Sequence, residues 1–346
     1  MMRALLLLLL ALPGPGARAE TYGQREDVRA FIQEMRDKHD FDADVLTALF
    51  RQTKPIAAVI KAIMPPKDPA VRSWRTYRGR FVEPKRIAAG RRFMHVYATE
   101  LAAAEARFGV PVEIVAAIIG VETLYGKQMG RFGAFAALTT LTFDYPPRAE
   151  LFRRELEELL LLAREENRSS LTYTGFYAGA LGLPQFLPSS RRHFAIDFDR
   201  DGRIDLSASP ADAIGSVANF LAEHGWERDA SIAIAVTVTG DGVPALIDAG
   251  IVPRYTPREM EAAKVKLARV GADDTAIPDQ PAALIDFNTP GATPEYRLGY
   301  RNFYVITRYN RSSFYAATVM DLAAELRASK QGIGRQAVVR DALPQF

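Results

Sequence analysis

The stretch "PVEIVAAIIGVETLYG" (111–126) ends an apolar run on one carboxylate, Glu122, and closes on Gly126. Pro111 suits the first turn of a helix, and Glu113 then sits where the positive end of the helix dipole favours an acid. At about 100° per residue, Val115, Ile118 and Tyr125 share a helical face with Glu122, and Glu113 is turned about 180° away. Glu122 is therefore expected among apolar side chains, and Glu113 in solvent. A carboxylate withdrawn from water has its pKa raised from about 4.3 toward neutrality, which suits it to donate a proton near pH 7. The competing reading is structural: Glu122 solvated in the last helical turn, or paired with Lys127 or Arg131.

A second stretch, "YAGALGLPQFLPSSRRHF" (177–194), packs glycines and prolines tightly before a helix start expected at Ser189-Ser190. Glycine-lined backbone lets a ligand approach main-chain N–H and C=O groups, and Gln185 offers both a donor and an acceptor. Hydroxyl-rich sugars suit such a surface, although an ordinary structured loop would look similar. A third stretch, "DFDRDGRIDLSAS", sets Asp197, Asp199 and Asp201 at positions 1, 3 and 5 of an EF-hand-like loop. Gly202 falls at the turn, and the Arg203 carbonyl at position 7. Position 12 is Ala208 instead of a carboxylate, and the nearest acid beyond it is Asp212. An Asx-rich turn without an ion is the alternative.

Other catalytic signatures are absent: there is no GxSxG elbow, HExxH, P-loop or GxGxxG, and His39, His95, His193 and His224 lack metal-ligand spacing. The chain contains no cysteine, which removes disulfides, thiol nucleophiles and a lipid-modified tether. A formal charge of +3 without single-sign blocks demands neither nucleic acid nor an anionic membrane as partner. The opening "MMRALLLLLLALPGPGARAE" reads as a signal peptide (1–19) cleaved before Glu20. Its short apolar segment falls well below the roughly 20 residues of a membrane span. A soluble, exported protein is expected.

The elements that must position these residues are mostly helical. Apolar residues three and four apart mark 25–39, 42–52, 84–109, 148–167, 210–226 and 314–329. Strand-like runs are confined to "SIAIAVTVTG", "AALIDF" and "FYVITRY". Breaks fall at 64–69, 143–148, 240–256 and 271–294. Aromatic residues gather in "WRTYRGRF" (74–81) and "YRNFYVITRYNRSSFY" (300–315), as sugar-stacking faces or as core.

In sequence order, "GVETLYG", "LTFDYPPRAELF", "AGALGLPQFLPSS", "DFDRDGRIDL", "DAIGSVANFLAEHGW" and "NFYVITRYNRSSFYA" resemble the family 3 lytic murein transglycosylases, the MltB type. The resemblance implies a mainly α (α+β) fold: a lysozyme-like helical catalytic core with an accessory α domain and a small β domain. It divides the chain into an N-terminal helical region of the accessory domain (20–81), the catalytic core with the aspartate loop (82–226), a β-containing region (227–299) and a C-terminal segment returning to the cleft (300–346). The implied activity is non-hydrolytic cleavage of the β-1,4 bond between N-acetylmuramic acid and N-acetylglucosamine, leaving a 1,6-anhydromuramyl end.

That chemistry accounts for a single prominent carboxylate. Ordinary glycosidases need two, whereas substrate-assisted enzymes use the sugar's acetamido group at the cationic centre. By the resemblance Glu122 is acid and then base, and Tyr77, Gln185, Tyr309 and Asn310 line the cleft. Phe176 stands where the family usually has serine, and Phe220 where it usually has tyrosine. Each change removes a hydroxyl. The aspartate loop matches the family's calcium site only in part, and the chemistry itself needs no cofactor. The expected partner is the peptidoglycan glycan strand, in the periplasm, with recruitment by a cell-wall enzyme complex compatible with it. Three alternatives remain at this point: a non-catalytic peptidoglycan-binding scaffold on the same fold, a lysozyme-type hydrolase, and a periplasmic calcium-binding interaction protein.

Overall fold

A computed structural model describes residues 21–65, 73–270 and 276–340, the last twelve of these by backbone alone. The proposed leader lies outside the described residues. The elements run α1 (Glu26–His39), α2 (Ala43–Gln52), α3 (Ala57–Ile63), α4 (Trp74–Gly79), α5 (Pro84–Val96), α6 (Ala98–Phe108) and α7 (Val112–Thr123). Next come β1 (Phe132–Gly133), α8 (Ala134–Asp144), α9 (Ala149–Glu165), β2 (Thr174–Gly175), α10 (Pro188–Phe194), α11 (Pro210–Glu223) and β3 (Ala233–Thr239). The rest are α12 (Val243–Asp248), α13 (Pro257–Ala262), β4 (Lys266–Arg269), β5 (Ala283–Phe287), β6 (Glu295–Gly299), α14 (Arg301–Tyr309) and α15 (Ser313–Arg340). The chain is mainly α with a small β part.

Local chemistry sets many of the helix boundaries. Asp42 caps α2 by accepting from the N–H groups of Asp44 and Val45. Glu83 caps α5 in the same way, with Pro84 at the first helical position, and Ser209 caps α11 ahead of Pro210. The α10 helix departs from expectation: it begins at Pro188, and its Ser189 donates through both N–H and hydroxyl to the buried carboxylate of Glu155 on α9. A side chain from another helix supplies the cap that a local serine was expected to provide.

Three apolar cores organise the molecule. The first surrounds α7 and includes Phe93, Leu101, Ile214, Val217, Val305, Ile306, Val319 and Leu322 from α5, α6, α11, α14 and α15. A second joins α1, α2 and α3 to α8 and α9 through Phe31, Phe50, Phe135, Leu138, Phe152 and Leu156, so residues 134–163 serve the N-terminal helices. The third is the sheet, ordered β4-β3-β6-β5 and antiparallel throughout, with Ile234, Val236, Leu284 and Leu298 turned inward.

Two expectations are corrected. Residues 303–309 form helix α14 and not a strand: Asn302, Val305 and Ile306 are buried with Tyr309 half-buried beside them, an i, i+3, i+4, i+7 stripe. Packing against the first core overrides the β propensity of its valine, isoleucine, threonine and aromatics. Strands β1, β2, β4 and β6 lie outside the expected runs. The second correction concerns α7. It has no solvent face, because helices enclose it all round, and Glu113 is buried and ion-paired with Arg327. Glu122 is the one residue of this helix that is not fully buried. The expected contrast between the two glutamates is thus inverted in exposure.

Candidate active site

Helix α7 stops abruptly one residue beyond Glu122. Leu124, Tyr125 and Gly126 take consecutive left-handed conformations, with φ of 50°, 56° and 86°. Two of the three are not glycine, a costly ending that neighbouring contacts must hold. The Thr123 hydroxyl accepts from the Gly126 N–H (3.0 Å) and donates to the Leu183 carbonyl (3.1 Å). From behind, the buried Arg86 guanidinium donates to the Gly120 carbonyl, which places a cation at the negative end of the helix dipole.

The Glu122 carboxyl meets phenols. Tyr315 donates to its Oε1 at 2.7 Å, and the Tyr309 ring lies parallel to that of Tyr315 at 6.3 Å between centroids. Tyr77 packs edge-on against Phe314 at 5.7 Å. Among the described residues no cation pairs with Glu122, and Lys127 and Arg131 are exposed. Burial therefore dominates: it raises the Glu122 pKa from 4.5 to about 7, opposed by the Tyr315 hydrogen bond. The phenols of Tyr309, Tyr315 and Tyr77 are pushed up, first by burial and then by the charge of Glu122, so they remain donors at neutral pH. Such a carboxyl is divided between acid and conjugate base at neutral pH, and can give a proton and take one back.

Two of the remaining candidates attach to the same centre through the glycine-rich loop. Gln185 holds a left-handed backbone (φ 52°), and its amide donates to the Gly182 carbonyl at 2.7 Å. The preceding residues bond outward, Leu183 to Thr123 and Pro184 to the hydroxyl of Tyr309. The loop that presents Gln185 is thereby tied on both sides to neighbours of Glu122. Gly182 (φ 69°) must be glycine, because a Cβ there would lie 2.5 Å from the Leu206 carbonyl oxygen. Asn310 is exposed and ends α14 immediately after Tyr309. Phe220 is buried between Phe186, Tyr309 and His224, stacked on the last at 4.1 Å, so it fills its site as core. Phe176 is half-buried in the turn before the loop.

The aspartate loop gathers differently from its spacing. Asp197 and Asp199 converge with Asp212, their carboxylate oxygens within 4.8 Å of one another. Asp201 instead accepts from the Arg203 N–H at 2.8 Å. The first turn of α11 delivers Asp212 into the loop, where it is buried and accepts from the N–H groups of Phe198 and Asp205. A fourth residue past position 12 thus supplies the acid that Ala208 lacks. All-oxygen donors suit a hard divalent cation, and backbone N–H groups with the Ser209 hydroxyl already donate to all three carboxylates. The far end of this loop bonds the glycine-rich loop, Leu183 N–H to Leu206 carbonyl at 2.8 Å.

Sequence reasoning did not single out Tyr315 or Thr123. Tyr315 is 193 residues from Glu122 and carries no local mark beyond its place in an aromatic-rich run.

The model of the transglycosylase SLT domain family matches residues 23–324. Membrane-bound lytic murein transglycosylase B of Escherichia coli (strain K12) is 36% identical over 316 residues, 87% of this chain and 82% of that protein. The crystal structure of soluble lytic transglycosylase SltB1 from Pseudomonas aeruginosa superposes with a TM-score of 0.79 at 40% identity, covering 88% of this chain and 99% of that one. The Escherichia coli lytic transglycosylase Slt35 in complex with calcium gives 0.77 at 36% identity, over 88% and 94%. SltB3 from Pseudomonas aeruginosa, in complex with NAG-anhNAM-pentapeptide, gives 0.74 at 27%, over 87% and 79%.

Proposed function

The chain belongs to the transglycosylase SLT domain family and is a lytic murein transglycosylase; from that premise we propose that Glu122 is both the acid and the base of the reaction. The observation behind this is the half-buried carboxyl at the end of α7, bonded to Tyr315, with a pKa near 7. Protonated Glu122 gives its proton to the glycosidic oxygen as the bond to muramyl C1 breaks. The substrate's acetamido oxygen stabilises C1 meanwhile. The Glu122 carboxylate then takes the proton of the muramyl C6 hydroxyl as that oxygen attacks C1, which closes the anhydro ring and restores the acid. Because the nucleophile is already part of the substrate, its effective concentration is on the order of 10⁵ M or more when well oriented, and water is outcompeted.

Tyr77, Gln185, Tyr309 and Asn310 are assigned to glycan binding on the same reading. Support comes from the way Gln185 and Tyr309 share one hydrogen-bonded frame with Thr123. A calcium ion held by Asp197, Asp199 and Asp212, with Asp201 and the Arg203 carbonyl beside them, would brace the loop that carries Gln185. Export to the periplasm is proposed from the leader sequence, and no described helix is long and apolar enough to cross a membrane.

Digestion of purified peptidoglycan, followed by mass spectrometry of the fragments, tests the assignment. Anhydro-muropeptides from the wild type but not from Glu122→Gln are expected. Equal anhydro product from both would overturn the role of Glu122. Hydrated reducing ends would indicate a lysozyme-type hydrolase, and no fragments a binding scaffold.

A further inference from the structure

Helix α4, which carries Tyr77, spans six residues, too few to hold a helical shape or a position by itself. Its placement therefore depends on what grips it: Trp74 and Tyr77 pack on Phe314 of α15, and three hydrogen bonds come from the sheet side. The Trp74 N–H donates to the Asn288 carbonyl (2.8 Å), the Arg75 N–H to the Thr289 hydroxyl (3.1 Å), and the Trp74 indole to Glu295 at the start of β6 (3.2 Å). At the other end of α4, Arg78 donates to Asp321 of α15 at 2.7 Å. The same carboxylate takes a two-pronged contact from Arg297 (2.8 and 3.1 Å), whose guanidinium also covers the rings of Trp74 and Phe287. Arg297 lies mid-strand in β6, between Ala235 of β3 and Ile285 of β5. One carboxylate thus joins the helix of Tyr77, the centre of the sheet and the helix that carries Tyr315.

We propose that the Arg78–Asp321–Arg297 junction makes the four-stranded sheet a positioning platform for Tyr77, so that the β unit acts in glycan binding without touching glycan. The inference rests on the reading of Tyr77 as a glycan contact. Asp321 and Arg297 are nearly buried, and both oxygens of the carboxylate are engaged, so the geometry is stiff. Tyr315 lies in the first turn of the same helix as Asp321, but its bond to Glu122 does not pass through the junction. Loss of the junction should accordingly weaken binding and spare the chemical step.

Arg78→Met tests this, because the Arg78 side chain is the exposed arm (39%) and its loss leaves Asp321 paired with Arg297. On soluble glycan strands the expected result is a KM raised about fivefold, with kcat within about twofold and the alkaline midpoint of the pH profile unmoved. Arg78→Lys should recover most of the loss. In a Tyr77→Ala background Arg78→Met should add nothing, since the two act through one contact. An unchanged KM, a shifted pH midpoint, or effects of the two substitutions that simply multiply would overturn the platform. If Tyr77→Ala alone leaves KM unchanged, the glycan reading of Tyr77 falls, and the platform with it.

Discussion

Replacing Glu122 by glutamine should make the protein more stable at high pH while removing its activity. The Glu122 pKa is raised by burial from 4.5 to about 7, so between these values the folded chain holds a proton that the unfolded chain releases. Stability contributed by this site is therefore greatest below pH 4.5 and is lost as pH climbs through 7. The difference of about 2.5 pH units corresponds to at most about 3 kcal/mol at 1.36 kcal/mol per unit. Because the carboxyl still reaches solvent, about 1–2 kcal/mol is the expected loss. Glutamine keeps the shape and cannot ionise. Other carboxyls raised by burial, Glu155 and Asp212, are common to both chains and cancel in the comparison. Urea unfolding of both proteins at pH 4.5 and 8.5 gives the readout: the stability of Glu122→Gln minus that of the wild type should grow by about 1–2 kcal/mol across the interval. Turnover of peptidoglycan should fall by about 10³-fold or more, since one residue serves both proton transfers. A difference that stays flat with pH, or a variant that loses stability at pH 8.5, would refute the account of Glu122 as a desolvated carboxyl.

Tyr315→Phe deletes a hydrogen bond that favours the charged form of Glu122, so the alkaline limb of kcat/KM should move up by about one pH unit; a limb that stays in place, or moves down, contradicts that role. Gly120→Ala ought to stabilise a helix by about 1 kcal/mol, yet its Cβ would lie 2.4 Å from the Tyr125 hydroxyl and 2.6 Å from Cζ. We expect destabilisation of about 1–3 kcal/mol in denaturant titrations, with loss of activity as the turn after Glu122 shifts. Calcium added at millimolar concentration to chelator-treated protein should raise the melting temperature by several degrees if it reaches about 100 times its dissociation constant, and Asp199→Asn should blunt the rise; an unchanged melting temperature counts against the ion.

Much of the fold was legible because its signals are local. The apolar spacing of α1, α9 and α11 reflects contacts within one or two turns and marks each helix, whereas the capping roles of Asp42, Glu83 and Ser209 emerge only in the structure. The α14 segment was misjudged because its residue types favour strands, although its burial stripe has helical spacing. Spacing in the aspartate loop pointed to Asp197 and Asp199 but could not bring Asp212 to them, since that depends on where α11 begins.

Sequence alone determined that one carboxylate ends an apolar helix, that the chain is mostly helical and that its motifs follow the order of a transglycosylase. Only the tertiary structure decided which residue of α7 reaches solvent. The phase of an isolated helix predicts one buried and one wet side, but α7 is enclosed on every side, so Glu113 is buried beneath the exposed Arg327 that pairs with it, and Glu122 alone of the helix meets solvent. The partner that holds Glu122 likewise comes from 193 residues away. Such partnerships arise from how whole helices pack, an interaction between distant segments that no local pattern of residues can encode.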